Sequence, residues 1–145
     1  MGSIQSIIIR PEKRALPQHV TNAHITPSGI EGDHYRKPEG HRQVTLIAAR
    51  DLATVAVYVG FQGDAHTACR RNICVDDLPD TDLTGRKIAL GDEVILEITC
   101  YCDPCKRMNE NFGDGAVDAF ERKAGWGARV IRDGHIRVGD AFTIL

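Results

Sequence analysis

Short apolar runs broken by turn residues dominate this chain, and they predict strands more often than helices. Ile4–Arg10 carries β-branched residues in one run and reads as a first strand. Pro11, Pro17, Pro27 and Gly29 keep the next stretch irregular, with room for one short strand near Val20–Ile25. Gln43–Ile47 reads as a buried strand leading into a helix over Ala48–Tyr58, where Leu52, Val55, Ala56 and Val59 fall at helical spacing and Gly60 suits the stop. Further strands are predicted over Arg70–Val75, Lys87–Ala89 and Val94–Thr99. A helical turn after Pro104 and a helix over Ala116–Lys123, ending near Gly125, follow. Gly127–Arg132, Ile136–Val138 and Phe142–Leu145 close the chain as β-structure, and Asp133-Gly134 between two apolar runs signals a hairpin. The pattern predicts a β-rich fold, a barrel or strongly curved sheet with two or three peripheral helices.

Length bounds this picture. The 145 residues suit one domain, 1–145, able to bury a core without disulfides or metal staples. The formal charge of −2 gives no global attraction to nucleic acid or an anionic membrane, so any anion site must be a local basic cluster. No run nears the roughly 18 apolar residues of a membrane helix, and Met1-Gly-Ser-Ile-Gln5 is unlike a signal peptide. A cytoplasmic protein with reduced thiols is expected.

Five cysteines, at 69, 74, 100, 102 and 105, are an odd number for a disulfide framework. The segment Cys100-Tyr-Cys-Asp-Pro-Cys-Lys-Arg107 concentrates the candidate chemistry on Cys105. Lys106 and Arg107 follow it, and Pro104 places it near the start of a helical turn; both favour a thiolate, the form that attacks or binds metal. Cys100 reads instead as strand filler. A structural zinc site wants two close ligand pairs, and one Cys-x-x-Cys stands here without a second. A Cys102–Cys105 redox pair fits by spacing but lacks a βαβ context. A soft transition metal on a single thiolate is the third reading. Upstream, Arg70, Arg71 and Asn72 offer donors suited to phosphate or a polar heterocycle, although a solvated basic edge would look the same. In a strand the two arginines would face opposite ways. His66 reads as a loop residue. In Gly29-Ile-Glu-Gly-Asp33, Gly32 allows close backbone approach and Asp33 can hold an arginine, or the segment is only a turn.

Taken in order, eight short segments resemble the MOSC domain, the module named for its place at the C-terminus of molybdenum cofactor sulfurases. They are Gly29-Ile-Glu-Gly-Asp33, Gln43-Val-Thr-Leu-Ile47, Cys69-Arg-Arg-Asn-Ile73, Asp82-Leu-Thr-Gly-Arg86, Leu90-Gly-Asp92, Cys102-Asp-Pro-Cys105, Gly127-Ala-Arg-Val130 and Gly134-His-Ile-Arg-Val-Gly-Asp140. The likeness is greatest to small stand-alone bacterial members, many of which carry Gly-Glu-Asn where this chain has Arg70-Arg-Asn72. The resemblance implies a MOSC-type β-barrel-like fold and binding of the molybdenum cofactor (molybdopterin), with Cys105 as both metal ligand and catalytic residue. Arg70 or Arg71 with Lys106 or Arg107 would neutralise the cofactor phosphate, Asn72 would meet the pterin, and Gly32 and Asp33 would complete the site. It implies an oxidoreductase that reduces N-hydroxylated small molecules with electrons from a donor protein. Its alternative implication is a sulfur carrier bearing a persulfide on Cys105, served by a cysteine desulfurase, and its second alternative a non-enzymatic cofactor-binding module. No pyridoxal phosphate is expected, because the desulfurase module of the sulfurases is separate.

Overall fold

The computed structural model describes residues 2–145. Seven strands close into a barrel, in the order β1 (Gly2–Ile9), β11 (Ala141–Ile144), β7 (Lys87–Leu90), β8 (Val94–Tyr101), β9 (Trp126–Arg132), β5 (Val44–Ala48), β6 (Ile73–Val75) and back to β1. β2 (Gln18–Val20) extends the far end of β1. Full closure leaves the ring without an open edge. Every barrel pairing is antiparallel except β5–β6. A parallel pair needs a long crossover, and α1 (Ala49–Val59) with α2 (Ala65–Cys69) supplies it. A second sheet, β10 (Gly134–Arg137), β3 (Asn22–Thr26) and β4 (Gly29–Ile30), adds Ala23, Ile25, Ile30 and Ile136 to the barrel core.

The unbroken apolar run of β5 has a simple cause: every residue in it is buried. Val44, Leu46 and Ala48 point into the barrel, while Ile47 points outward into a second core. That second core holds Leu52 and Val55 of α1, Cys69 of α2, Met108 and Phe112 of α3 (Lys106–Phe112), and Ala116 of α4 (Ala116–Ala119) with Phe120.

Five features depart from the sequence pattern. The strand predicted over Arg70–Val75 begins only at Ile73, because Arg70 ends α2 in the left-handed region at φ 63°. α2 itself is an additional helix, making four, and His66 lies buried within it rather than in a loop. The helix predicted to Lys123 stops at Ala119; Arg122 (φ 62°) and Gly125 (φ 93°) turn the chain into β9. The Asp133-Gly134 signal marks a corner, not a two-stranded hairpin. β10 pairs with β3 instead of β9, with His135 opposite His24 and Ile136 opposite Ala23, so its apolar side chain reaches the core. The region near Val20–Ile25 likewise splits into β2 and β3 around Thr21.

Gly125 is required by contact as well as by conformation. A Cβ there would lie 2.1 Å from the Leu46 carbonyl oxygen of β5, and no flexible side chain is available to yield. Gly125→Ala should therefore destabilise the fold by about 3 kcal/mol or more in urea denaturation. Gly60→Ala, at φ 73° with nothing within 4 Å, should cost only about 1 kcal/mol, the strain of a left-handed backbone alone. Equal losses at the two positions would remove the close approach as the cause.

Candidate functional site

The site is assembled where β8 ends and β9 begins. Tyr101 stacks on Trp126 across the strands at 3.7 Å, and the Cys102 amide donates to the Gly125 carbonyl at 2.9 Å. The chain then leaves the sheet through Asp103 and Pro104, and Cys105 becomes the N-cap residue of α3. Its carbonyl accepts from the Met108 amide at 2.8 Å, which starts the helical turn. Met108 and Phe112, four apart, anchor the helix in the second core. Arg107 and Asn111, also four apart, look toward α2, where Asn111 Nδ2 donates to the Ala68 carbonyl at 2.9 Å.

All five cysteines are free, and only Cys105 is exposed. Cys69, Cys74 and Cys102 are buried, and Cys100 is half-buried. Burial pushes the Cys69 thiol up to about 12 and the Cys74 thiol up to about 11, leaving both protonated and inert. Cys102 Sγ accepts from Arg42 Nη2 at 3.3 Å. Among the described residues, no group of three or more His, Cys, Asp or Glu is placed to hold a metal.

Beside α3 lies a groove of about 490 Å³ whose cationic wall is Arg14, Arg70 and Arg107. Arg14 and Arg70 both adopt positive φ, 69° and 63°, an arrangement that persists only where the surroundings enforce it. For Arg70 the enforcement is visible: its amide returns to the His66 and Thr67 carbonyls, and its Nη1 donates to Ala15 O at 2.5 Å. Burial, with the nearby charges of Arg107 and Arg10, pulls the Arg70 pKa down. Desolvation and then Arg10 depress the neighbouring His34, with Arg70 and Lys13 adding to it. A positive field therefore fills this side of the molecule. Among the described residues, none of Arg14, Arg70 and Arg107 is in an ion pair. Glu110 also lines the groove, and its Asp64 is engaged by His19 at 2.5 Å.

The other sequence candidates have different surroundings. Gly32 is exposed at φ 92° and turns the chain toward Asp33. Asp33 is buried and grips Arg10: Oδ1 accepts from its backbone N at 2.7 Å and Nε at 3.1 Å, and Oδ2 from Nη2 at 2.8 Å. Burial raises the Asp33 pKa, but the Arg10 bonds and charge outweigh it and hold the carboxyl below its ordinary value. Arg71 does not share the Arg70 groove. It is buried, with Nε donating to the Ala124 carbonyl at 2.7 Å. Asn72 is also buried and spends its side chain on Thr45, Ile8 and Asp33. Lys106 is exposed beside Cys105. Arg10, Arg14, His34 and Asn111 join the site without any signal in local sequence. Only folding brings residues 10–15 beside residue 70 and α3 beside α2.

The MOSC domain family model matches residues 19–143. The chain belongs to the MOSC domain family. Over 77 residues this MOSC domain is 32% identical to a reductase of Gibberella moniliformis (strain M3125 / FGSC 7600), a stretch covering 51% of the chain and 12% of the fungal protein. Its fold is similar to that of YuaD from Bacillus subtilis, at TM-score 0.84 and 18% identity, covering 97% of this chain and 93% of that one. It is similar also to YiiM from Geobacillus stearothermophilus, at TM-score 0.80 and 16% identity over 100% and 75% of the two chains. YiiM from Escherichia coli follows, at TM-score 0.73 and 17% identity over 100% and 70%. Among the described residues no helix is long and apolar enough to cross a membrane.

Thiol labelling of the native protein should modify Cys105 quickly and Cys100 slowly, with Cys69, Cys74 and Cys102 reacting only on unfolding. Fast labelling that survives Cys105→Ser would contradict this assignment. His66 supplies a pH test. Its Nε2 donates to the Arg71 carbonyl at 2.7 Å and its Nδ1 accepts from Ser6 Oγ at 2.5 Å, an arrangement for the neutral ring. Burial lowers its pKa from 6.5 to about 4, so below pH 6.5 the unfolded chain binds the proton more readily. Stability contributed by the neutral ring is complete above that pH and is lost as pH falls toward 4, about 3 kcal/mol in all. Denaturation curves across this range should lose that slope in His66→Gln.

Proposed function

We propose that this MOSC domain binds the molybdenum cofactor and acts as an oxidoreductase on N-hydroxylated small molecules, with Cys105 as the metal ligand. The observation that carries the reading is one exposed thiol at the N-cap of α3, two residues before Arg107, which forms the cationic wall of the groove with Arg70 at the end of α2 and Arg14 of the loop after β1. The donor set fits the group. A thiolate suits a soft transition metal, and guanidinium groups outside any described ion pair suit a phosphate bidentately. The family match and the reductase identity over half of the chain point the same way.

In this reading Cys105 is held outward by the N-cap conformation, φ −128° and ψ 169°, while Met108 and Phe112 fix the helix behind it. Arg70 and Arg107 would bind the cofactor phosphate, with Lys106 adding positive charge beside the thiol. Asp33 acts through Arg10, which it orients toward the same field. Arg71 and Asn72 support the site from below, joining α2 to β1, β5 and the turn before β9. When bound, the cofactor would supply the redox chemistry, and the protein placement and charge. An electron-donor protein would return the electrons consumed in each turnover.

Protein made in a host able to synthesise the cofactor should carry about one molybdenum per chain. Cys105→Ser should abolish that loading, and Arg70→Gln or Arg107→Gln should lower it. Absence of molybdenum and pterin from all preparations, with turnover of N-hydroxylated compounds unaffected by Cys105→Ser, would overturn the proposal. The exposure of Cys105 also suits a persulfide carrier. One added sulfur on Cys105 after incubation with a cysteine desulfurase, without molybdenum, would favour that reading.

A further inference from the structure

On the outer face of the small sheet, two histidines stand directly opposite one another. His24 of β3 and His135 of β10 are register partners. Their rings are stacked with centroids 4.5 Å apart and planes 10° from parallel. Ala23, Ile25 and Ile136, their neighbours along the strands, point inward, so strand alternation sends both imidazoles toward solvent. Each ring also has a carboxylate on its Nδ1 side. Glu31 Oε2 lies 2.8 Å from His24 Nδ1, and Glu93 Oε1 lies 3.8 Å from His135 Nδ1 while accepting from the His135 amide at 2.7 Å.

At His24 the Glu31 carboxylate holds the proton on Nδ1 and leaves the Nε2 lone pair free, which is how ligating histidines are commonly prepared, whereas Glu93 stands beyond hydrogen-bond distance of His135 Nδ1 and contributes charge there. No hydrogen bond occupies either Nε2 among the described residues. Tetrahedral zinc wants two imidazole nitrogens about 3.3 Å apart at bond lengths of about 2.0–2.1 Å. In the stacked pair the in-plane lone pairs run side by side, so chelation requires the two side chains to rotate out of the stack, which the backbone register of the strands permits. Charge agrees as well: two neutral imidazoles and two carboxylates offset a divalent ion. Arg137, further along β10, is the cation nearest in sequence on that face, and its exposed side chain is free to turn away.

The geometry points to a divalent transition-metal site at His24 and His135, with Glu31 orienting the His24 ring, Glu93 adding negative charge beside His135, and solvent completing the coordination. Imidazole selects copper, nickel or zinc over magnesium or calcium. The site has a structural consequence, because Glu31 begins the turn that ends in Asp33. A metal across β3 and β10 would clamp the two strands and steady the turn that holds Arg10.

The test titrates zinc and copper(II) into the full chain carrying Cys105→Ser, so that the exposed thiol does not compete. One ion per chain should bind, and copper should show nitrogen hyperfine coupling from imidazole in its electron paramagnetic resonance spectrum. His24→Ala and His135→Ala should each weaken binding by about tenfold or more, while His19→Ala should leave it unchanged. Zinc at ten times its dissociation constant should raise the melting temperature by roughly 3–5 °C, a shift absent from both variants. Circular dichroism checks that the surface variants fold. Unchanged binding in the His24→Ala/His135→Ala double variant, or no binding of either ion below millimolar concentration, would overturn the assignment. Magnesium binding equal to zinc would overturn it too.

Discussion

A single buried amide, Asn72, ties together the parts of this molecule that must not move. Its side-chain oxygen accepts from the backbone and hydroxyl of Thr45, and its amide nitrogen reaches the Ile8 carbonyl and Asp33. Its own backbone completes the knot, donating to Thr45 Oγ1 and accepting from the Ile8 amide. β5, β1 and the start of β6 meet there, at the one parallel junction in the barrel. A buried amide with satisfied partners fixes geometry, whereas the same group left unpaired would cost about 1–3 kcal/mol. Asp33 extends the knot to Arg10, so the charge around the groove is set by a chain of bonds beginning inside the barrel wall.

This arrangement explains why two adjacent arginines have unlike fates. Arg70 adopts a left-handed backbone to finish α2 and sends its guanidinium to the groove. Arg71 enters the approach to β6 and turns inward to the Ala124 carbonyl. Their separation comes from a helix ending between them and a strand beginning, not from strand alternation. The buried His66 ring joins both elements by accepting from Ser6 and donating to Arg71.

Much of the barrel was legible because its strands are apolar runs bounded by turns. β1, β5, β7, β8, β9 and β11 all fall within a few residues of their predicted places. α2 was not legible: five residues with one buried cysteine and one buried histidine carry no helical period. β10 falls near its expected place, but its pairing was not legible, because an Asp-Gly pair says only that the chain turns, and the partner of the following strand lies more than a hundred residues away in sequence. At the candidate site, the exposure of Cys105 agrees with its charged neighbours in sequence, and the capacity of Asp33 to hold an arginine is realised in Arg10. Which arginine it holds, and that Arg14 stands beside Arg70 and Arg107, are products of the third dimension.

The division of the interior into two cores affects how this chain can vary. The barrel buries its own aliphatic residues, while α3 rests on a separate layer shared with α1, α2 and α4. Substitutions that reshape the surface around Cys105 draw on the packing of that outer layer and leave the ring of strands complete. A scaffold built in this way can change what surrounds its exposed thiol without first solving its folding problem again.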